Sequence, residues 1–233
     1  MPAWPHRIDR AGRRPWAGRG PWRTYFRKEA LLMLVEHQGR RPDVDPSAWI
    51  APTAVVCGEV VVGPRCQIGF GAVLVAEGGP ITLGREVIVR DHAVLRASAR
   101  HPIAIGNHVL VGPGACLFGC TVEDEVFLAT RVSVFYGARV RRRAEVRVNA
   151  VVHVRSTVAE GATVPIGWVA VGDPASFFQP AAHEQIWALQ EPLDFPRTAY
   201  GMERLPGGGV DMVELTGRLA AASAAHRDDQ MVE

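Results

Sequence analysis

The chain has 233 residues, room for one large domain or one domain with appendages. It is 48% hydrophobic and 21% charged, the balance of a folded protein rather than a disordered one. No apolar run approaches the ~18–20 residues of a membrane span or the ~7–15 of a secretory leader's core, so a membrane partner is not expected and the predicted compartment is the cytoplasm. Cys57, Cys66, Cys116 and Cys120 show no Cys-x-x-Cys spacing, which predicts neither a zinc knuckle nor a disulfide framework.

The net charge of +2 is unevenly divided. Residues 1–30 hold eight basic side chains against Asp9 and Glu29, leaving 18 basic and 22 acidic residues in the rest. Residues 1–32 therefore read as a basic extension, predicted to be disordered, with Met33 as a candidate natural start. Trp4, Trp16 and Trp22 are spaced among the arginines, but no nucleic-acid module accompanies them, so nucleic acid is not an expected partner.

From Val44 an aliphatic residue returns at every sixth position: Ile50, Val56, Val62, Ile68, Leu74. The beat resumes at Leu83, Val89, Leu95, then Ile105, Val111, Leu117, and runs from Val122 in steps of six to Val164. Four residues after the beat the side chain is usually small or β-branched, as at Ala54, Val60, Cys66, Ala72, Ala93, Thr121 and Ala138. Gly follows the beat directly at Gly63, Gly69, Gly84, Gly106 and Gly112, read as corners that need a permissive backbone. A period of six smears an apolar face around an α-helix, but it suits a short strand plus a corner, with the beat residue pointing inward. Three such strands make one triangular coil, and stacked coils bury one another's beats. The predicted fold is mainly β, a parallel β-helix of hexapeptide repeats over residues 33–178 with about seven coils. Residues 179–233 read as a helical segment packed on this prism. One helix runs over Pro180–Glu191, with Ile186, Trp187 and Leu189 inward. A second covers 210–226, with Met212, Leu215 and Leu219 on one side, and the end beyond it is predicted to be frayed.

Residues 44–178 resemble the γ-class carbonic anhydrases and their relatives among the hexapeptide-repeat acyltransferases. The resemblance rests on Ile68-Gly69-Phe70-Gly71-Ala72-Val73-Leu74, Gly79-Pro80-Ile81-Thr82-Leu83-Gly84, Asp91-His92-Ala93-Val94-Leu95, Gly119-Cys120-Thr121-Val122 and Val171-Gly172-Asp173-Pro174-Ala175. It implies a left-handed coil and a homotrimer, with a zinc held by three His between neighbouring prisms. At the positions matching those ligands this chain has Arg96, Pro113 and Phe118. A guanidinium has no usable lone pair, and Pro and Phe side chains have no donor atom. Of the family's other polar site residues, Asp91 and the charge of Glu77 remain. No cofactor and no metal site are therefore expected, and carbonic anhydrase activity by the zinc mechanism is not expected either.

The residues just after the beat on one side of the triangle are Cys57, Val75, Arg96, Phe118, Phe135 and His153. Phe118, Phe135, Tyr136 and His153 are the expected trimer interface, an apolar strip that a lone prism would leave wet. Glu77, Arg90, Asp91, Arg96, Pro113 and Phe118 are the expected lining of a pocket at the vacated metal position, filled by ion pairs or open to a small anion. The favoured function is a trimeric, non-catalytic scaffold or small-anion-binding module, a pseudoenzyme. The alternatives are an acyltransferase using an acyl-CoA donor with His101 as base, and a metal-independent lyase or hydrolase at the trimer interface using Asp91 or His153.

Overall fold

A computed structural model describes residues 33–232; the reading of residues 1–32 lies outside them. The repeats form a parallel β-helix. One face stacks eight rungs, at Met33–Glu36, Val55–Val62, Val73–Leu83, Val94–Ser98, Cys116–Phe118, Ser133–Val134, Val151–Val152 and Val169–Gly172. The count exceeds the expected seven because Met33–Glu36, which precedes the first beat, adds a rung by pairing Leu34 with Val56. The strands Val55–Val62 and Val73–Leu83 continue around a corner into the second face, and a separate seven-stranded sheet from Trp49–Ile50 to Thr163–Val164 forms the third.

Every beat from Ile50 to Val164 is buried. The second inward position follows the predicted spacing except at Thr121, which is exposed; the five-residue step after Leu117 puts Cys120 inside instead. The glycines after the beat serve a different purpose from the predicted one. A Cβ on Gly63 would stand 2.3 Å from the Gly84 carbonyl oxygen, and one on Gly69 would stand 2.6 Å from Asp91 Oδ1. These positions lack room rather than needing positive φ.

Positive φ falls three residues after the beat, mostly at non-glycine residues such as Arg65, Glu86, His92, Glu125 and Arg155. Each left-handed residue costs about 1–2 kcal/mol. The conformation points the corner N–H at the preceding coil, as in His92 N to the Phe70 carbonyl and Glu86 N to the Pro64 carbonyl, both 2.9 Å. One hydrogen bond between coils offsets much of that cost.

After the hairpin Val169–Gly172 with Ala175–Phe178, the chain turns into three helices, α1 (His183–Gln190), α2 (Phe195–Tyr200) and α3 (Met212–Ala224). The two predicted helices are α1 and α3, and Asp211 caps α3 by accepting from Val213 N and Glu214 N. Their inward faces are narrower than expected. Ile186 and Leu215 are buried, while Trp187, Leu189, Met212 and Leu219 are each 39–57% exposed. The segment after α3, expected to be frayed, holds a paired strand. Gln230–Met231 forms a strand antiparallel to the first rung, pairing Met231 with Val35 and Gln230 with Glu36. No described helix is long and apolar enough to cross a membrane.

Candidate functional site

The outward column runs in register from Cys57 through Val75 and Arg96 to Phe118. Arg96 pairs with Glu77 on the neighbouring rung. Phe118 stacks on Phe135 with ring centroids 5.7 Å apart, and Pro113 is exposed at a corner. Pro113 follows Val111 on the seven-stranded sheet, away from Arg96 and Phe118 within one chain, and none of the three side chains offers a metal a donor atom, so the family's metal does not fit these residues.

Of the expected pocket, one chain brings Glu77, Arg96 and Phe118 together, and all three line a cavity of about 530 Å³ with Tyr136, Tyr200 and Leu219. Arg90 and Asp91 do not join them. They follow Val89 on the seven-stranded sheet, a different face of the prism. The Asp91 carboxylate accepts from Phe70 N at 2.9 Å, a corner cap between coils. Asn107 does the same for Arg85 N one coil on, so the carboxamide or carboxylate two residues after the beat is a structural device.

The aromatic strip has cover from its own chain. Phe195 of α2 meets Phe135 at 6.1 Å and Tyr136 at 6.5 Å, and Tyr200 meets Tyr136 at 6.5 Å. Phe118, Phe135, Tyr136 and His153 remain half-buried, so the argument that only a neighbouring chain could shield them is corrected. Burial lowers the pKa of His153, whose Nδ1 has no hydrogen-bond partner among the described residues.

His101 sits in the four-residue expansion, bridged to Ser98. Its Nε2 lies 2.8 Å from the Thr198 carbonyl oxygen, to which it donates. Gly119 packs against it so closely that an added Cβ would stand 2.2 Å from His101 Cβ. His101 lines an open groove of about 990 Å³ together with Arg100, Arg139, Arg155 and Arg197, opposed by Asp173 and Asp194. Sequence reasoning passed over these arginines because they come from four separate coils and helices, with no local spacing to mark them.

A polar cluster above Arg96 was also missed. Glu77 accepts from His226 Nε2 at 3.2 Å, and His226 Nδ1 lies 2.7 Å from Asp229 Oδ2. The other Asp229 oxygen is 2.7 Å from Nδ1 of buried His37, and Cys57 Sγ is 3.7 Å from Asp229 Oδ2. The hydrogen bond to Asp229 raises the pKa of His226. Burial works against the Asp229 carboxylate, but hydrogen bonds from His226 and His37 outweigh it and hold its pKa below the ordinary value. Burial, followed by the Asp229 charge, pushes the Cys57 thiol up to about 11. His37 and His226 lie outside the repeat, so no periodicity pointed to them.

No family model matches the chain. It is 30% identical over 185 residues to "Gamma carbonic anhydrase 1, mitochondrial" of Arabidopsis thaliana, covering 77% of this chain and 64% of that protein. It is 28% identical over 96 residues to "Carbonic anhydrase" of Geobacillus kaustophilus, covering 41% and 53%. A hexapeptide transferase family protein of Anaplasma phagocytophilum aligns at 27% identity with TM-score 0.43, over 70% of this chain and 93% of that one. The chain thus spans between about half and two thirds of the length of the curated relatives it matches. In its six-residue beat, its parallel β-helix and these curated relatives, the chain is similar to the γ-carbonic-anhydrase-like hexapeptide-repeat proteins.

Proposed function

We propose that this protein is a non-catalytic member of the γ-carbonic-anhydrase-like family, a trimeric scaffold or small-anion-binding module. The relatives' names carry carbonic anhydrase activity, and this chain departs from it at the reacting centre. What supports the reading is the joint presence of Arg96, Pro113 and Phe118 at the three positions that resemble the metal-ligand sites. Without a Lewis acid there, no bound water reaches a pKa near ~7, and Asp91 is engaged as a corner cap. The half-buried Phe118, Phe135, Tyr136 and His153 are the face offered to a neighbouring chain.

The test combines carbon dioxide hydration, sedimentation and a melting-temperature screen of wild type and Arg96→Met against bicarbonate, phosphate and short carboxylates. Hydration should stay at background and the wild type should sediment as a trimer at micromolar concentration. Arg96→Met should cost under about 1 kcal/mol, since its guanidinium is 44% exposed and Glu77 keeps His226 as a partner. Hydration above background, or a wild-type monomer, overturns the reading. An anion that stabilises the wild type and not Arg96→Met assigns binding to the vacated position.

The groove of Arg100, Arg139, Arg155 and Arg197 beside His101 favours a second reading, an acyltransferase whose CoA donor brings phosphates to those arginines. His101 Nε2 donates to the Thr198 carbonyl, which leaves Nδ1 as the ring nitrogen that would have to serve as base. Calorimetry with acetyl-CoA separates the two readings.

A further inference from the structure

We propose that His37, Cys57, His226 and Asp229 form a closed site for one divalent cation of the zinc class. The four donor atoms lie within 4.8 Å of one another, and among the described residues they are the group that brings nitrogen, sulfur and oxygen ligands to one point. Tetrahedral zinc with such ligands requires donor separations of about 3.3–3.6 Å, so an ion enters by opening the 2.7 Å contacts that His37 and His226 make to the two Asp229 oxygens and by drawing in the longest separations, up to 4.8 Å, by about an ångström. The expectation of a metal-free chain was drawn from the repeat, and three of these ligands, His37, His226 and Asp229, lie outside it.

Each ligand is held by a different part of the fold. Cys57 points outward from its rung, two rungs along the column from Arg96. His37 is turned toward it by the tight His37–Arg40 turn, with Gln38 and Gly39 at positive φ. His226 and Asp229 come from the 3-10 turn that follows α3. The imidazoles of His37 and His226 stack with centroids 4.2 Å apart, and both direct Nδ1 at Asp229.

Two further observations fit a cation. His226 donates from Nε2 to Glu77 and from Nδ1 to Asp229, so an ion that displaces the Nδ1 proton meets an imidazole already held by a carboxylate on its far side. Charge balance agrees. Two carboxylates, Glu77 and Asp229, converge here with the Arg96 guanidinium and with His226, which donates from both ring nitrogens, so the set is already balanced. A dication that displaces two protons, one from the Cys57 thiol and one from His226 Nδ1, keeps it neutral. Four protein ligands leave no open position, so the site is structural and supplies no hydrolytic water. Arg96 thus keeps a connection to metal chemistry, holding the carboxylate that orients a ligand.

The test uses the full chain stripped with a chelator and titrated with zinc chloride and cobalt chloride. One equivalent of zinc per chain should bind and raise the melting temperature. Cobalt should give the intense visible bands of a four-coordinate ion and a near-ultraviolet thiolate charge-transfer band. Cys57→Ser should lose that last band. His226→Ala, at a partly exposed position tolerant of truncation, should weaken zinc at least a hundredfold, and Glu77→Gln should weaken it about 10–100-fold. A wild type that binds no zinc at micromolar concentration overturns the proposal. So does stoichiometric zinc that survives unchanged in both Cys57→Ser and His226→Ala.

Discussion

His153 carries an imidazole into the aromatic strip with Nδ1 unpartnered among the described residues, and burial depresses its pKa. In the unfolded chain the group titrates near ~6.5. Below that value the unfolded state takes up the proton more readily than the folded one. The associated stability is therefore present above ~6.5 and is lost as the pH falls through the depressed folded value. His153→Phe should flatten the fall in melting temperature between pH 7.5 and 5.5 relative to wild type; parallel slopes would refute the assignment. At this scale the sequence was legible wherever a residue answers to the repeat. The beat from Ile50 to Val164 is inside, and Arg96 stands where the column places it. The glycines were located correctly and explained wrongly, because the left-handed position is filled by Arg, Glu, His and Asn, which no turn rule marks. Asp91 was read as a surviving site residue, since the hydrogen bond to Phe70 N spans 21 residues and leaves no local signature.

Among the elements, α2 is the one that periodicity did not reveal. Six residues containing a proline are too short for a helical pattern, yet Phe195 and Tyr200 cover the strip that otherwise faces solvent. α1 and α3 were legible from their caps and breakers, but their apolar faces are mostly unburied apart from Ile186 and Leu215. The segment's attachment therefore rests on a few contacts. Phe195→Ala should cost about 1–3 kcal/mol, less than a fully buried ring. It should also speed proteolytic cleavage in residues 194–209 while the prism stays intact. Unchanged cleavage in that segment would show that the other contacts of residues 179–232 are what hold it.

For the molecule as a whole, the pairing of Gln230–Met231 with the first rung changes how the fold comes apart. A stack of repeats in which each coil touches only its neighbours behaves like a zipper, and its end coils open first at little cost. Here the outermost rung at one end is clasped by the chain's far end, joined through Val35 to Met231 and through His37 to Asp229, 192 residues apart. That clasp can close only after every intervening coil has formed, which defers its loop-closure cost to the last step of folding. It also removes a free end from which unravelling could start. Backbone amides of Leu34 and Glu36, which face the C-terminal strand, should thus exchange with solvent at rates close to those of the central coils, and truncation after residue 228 should release them to fast exchange.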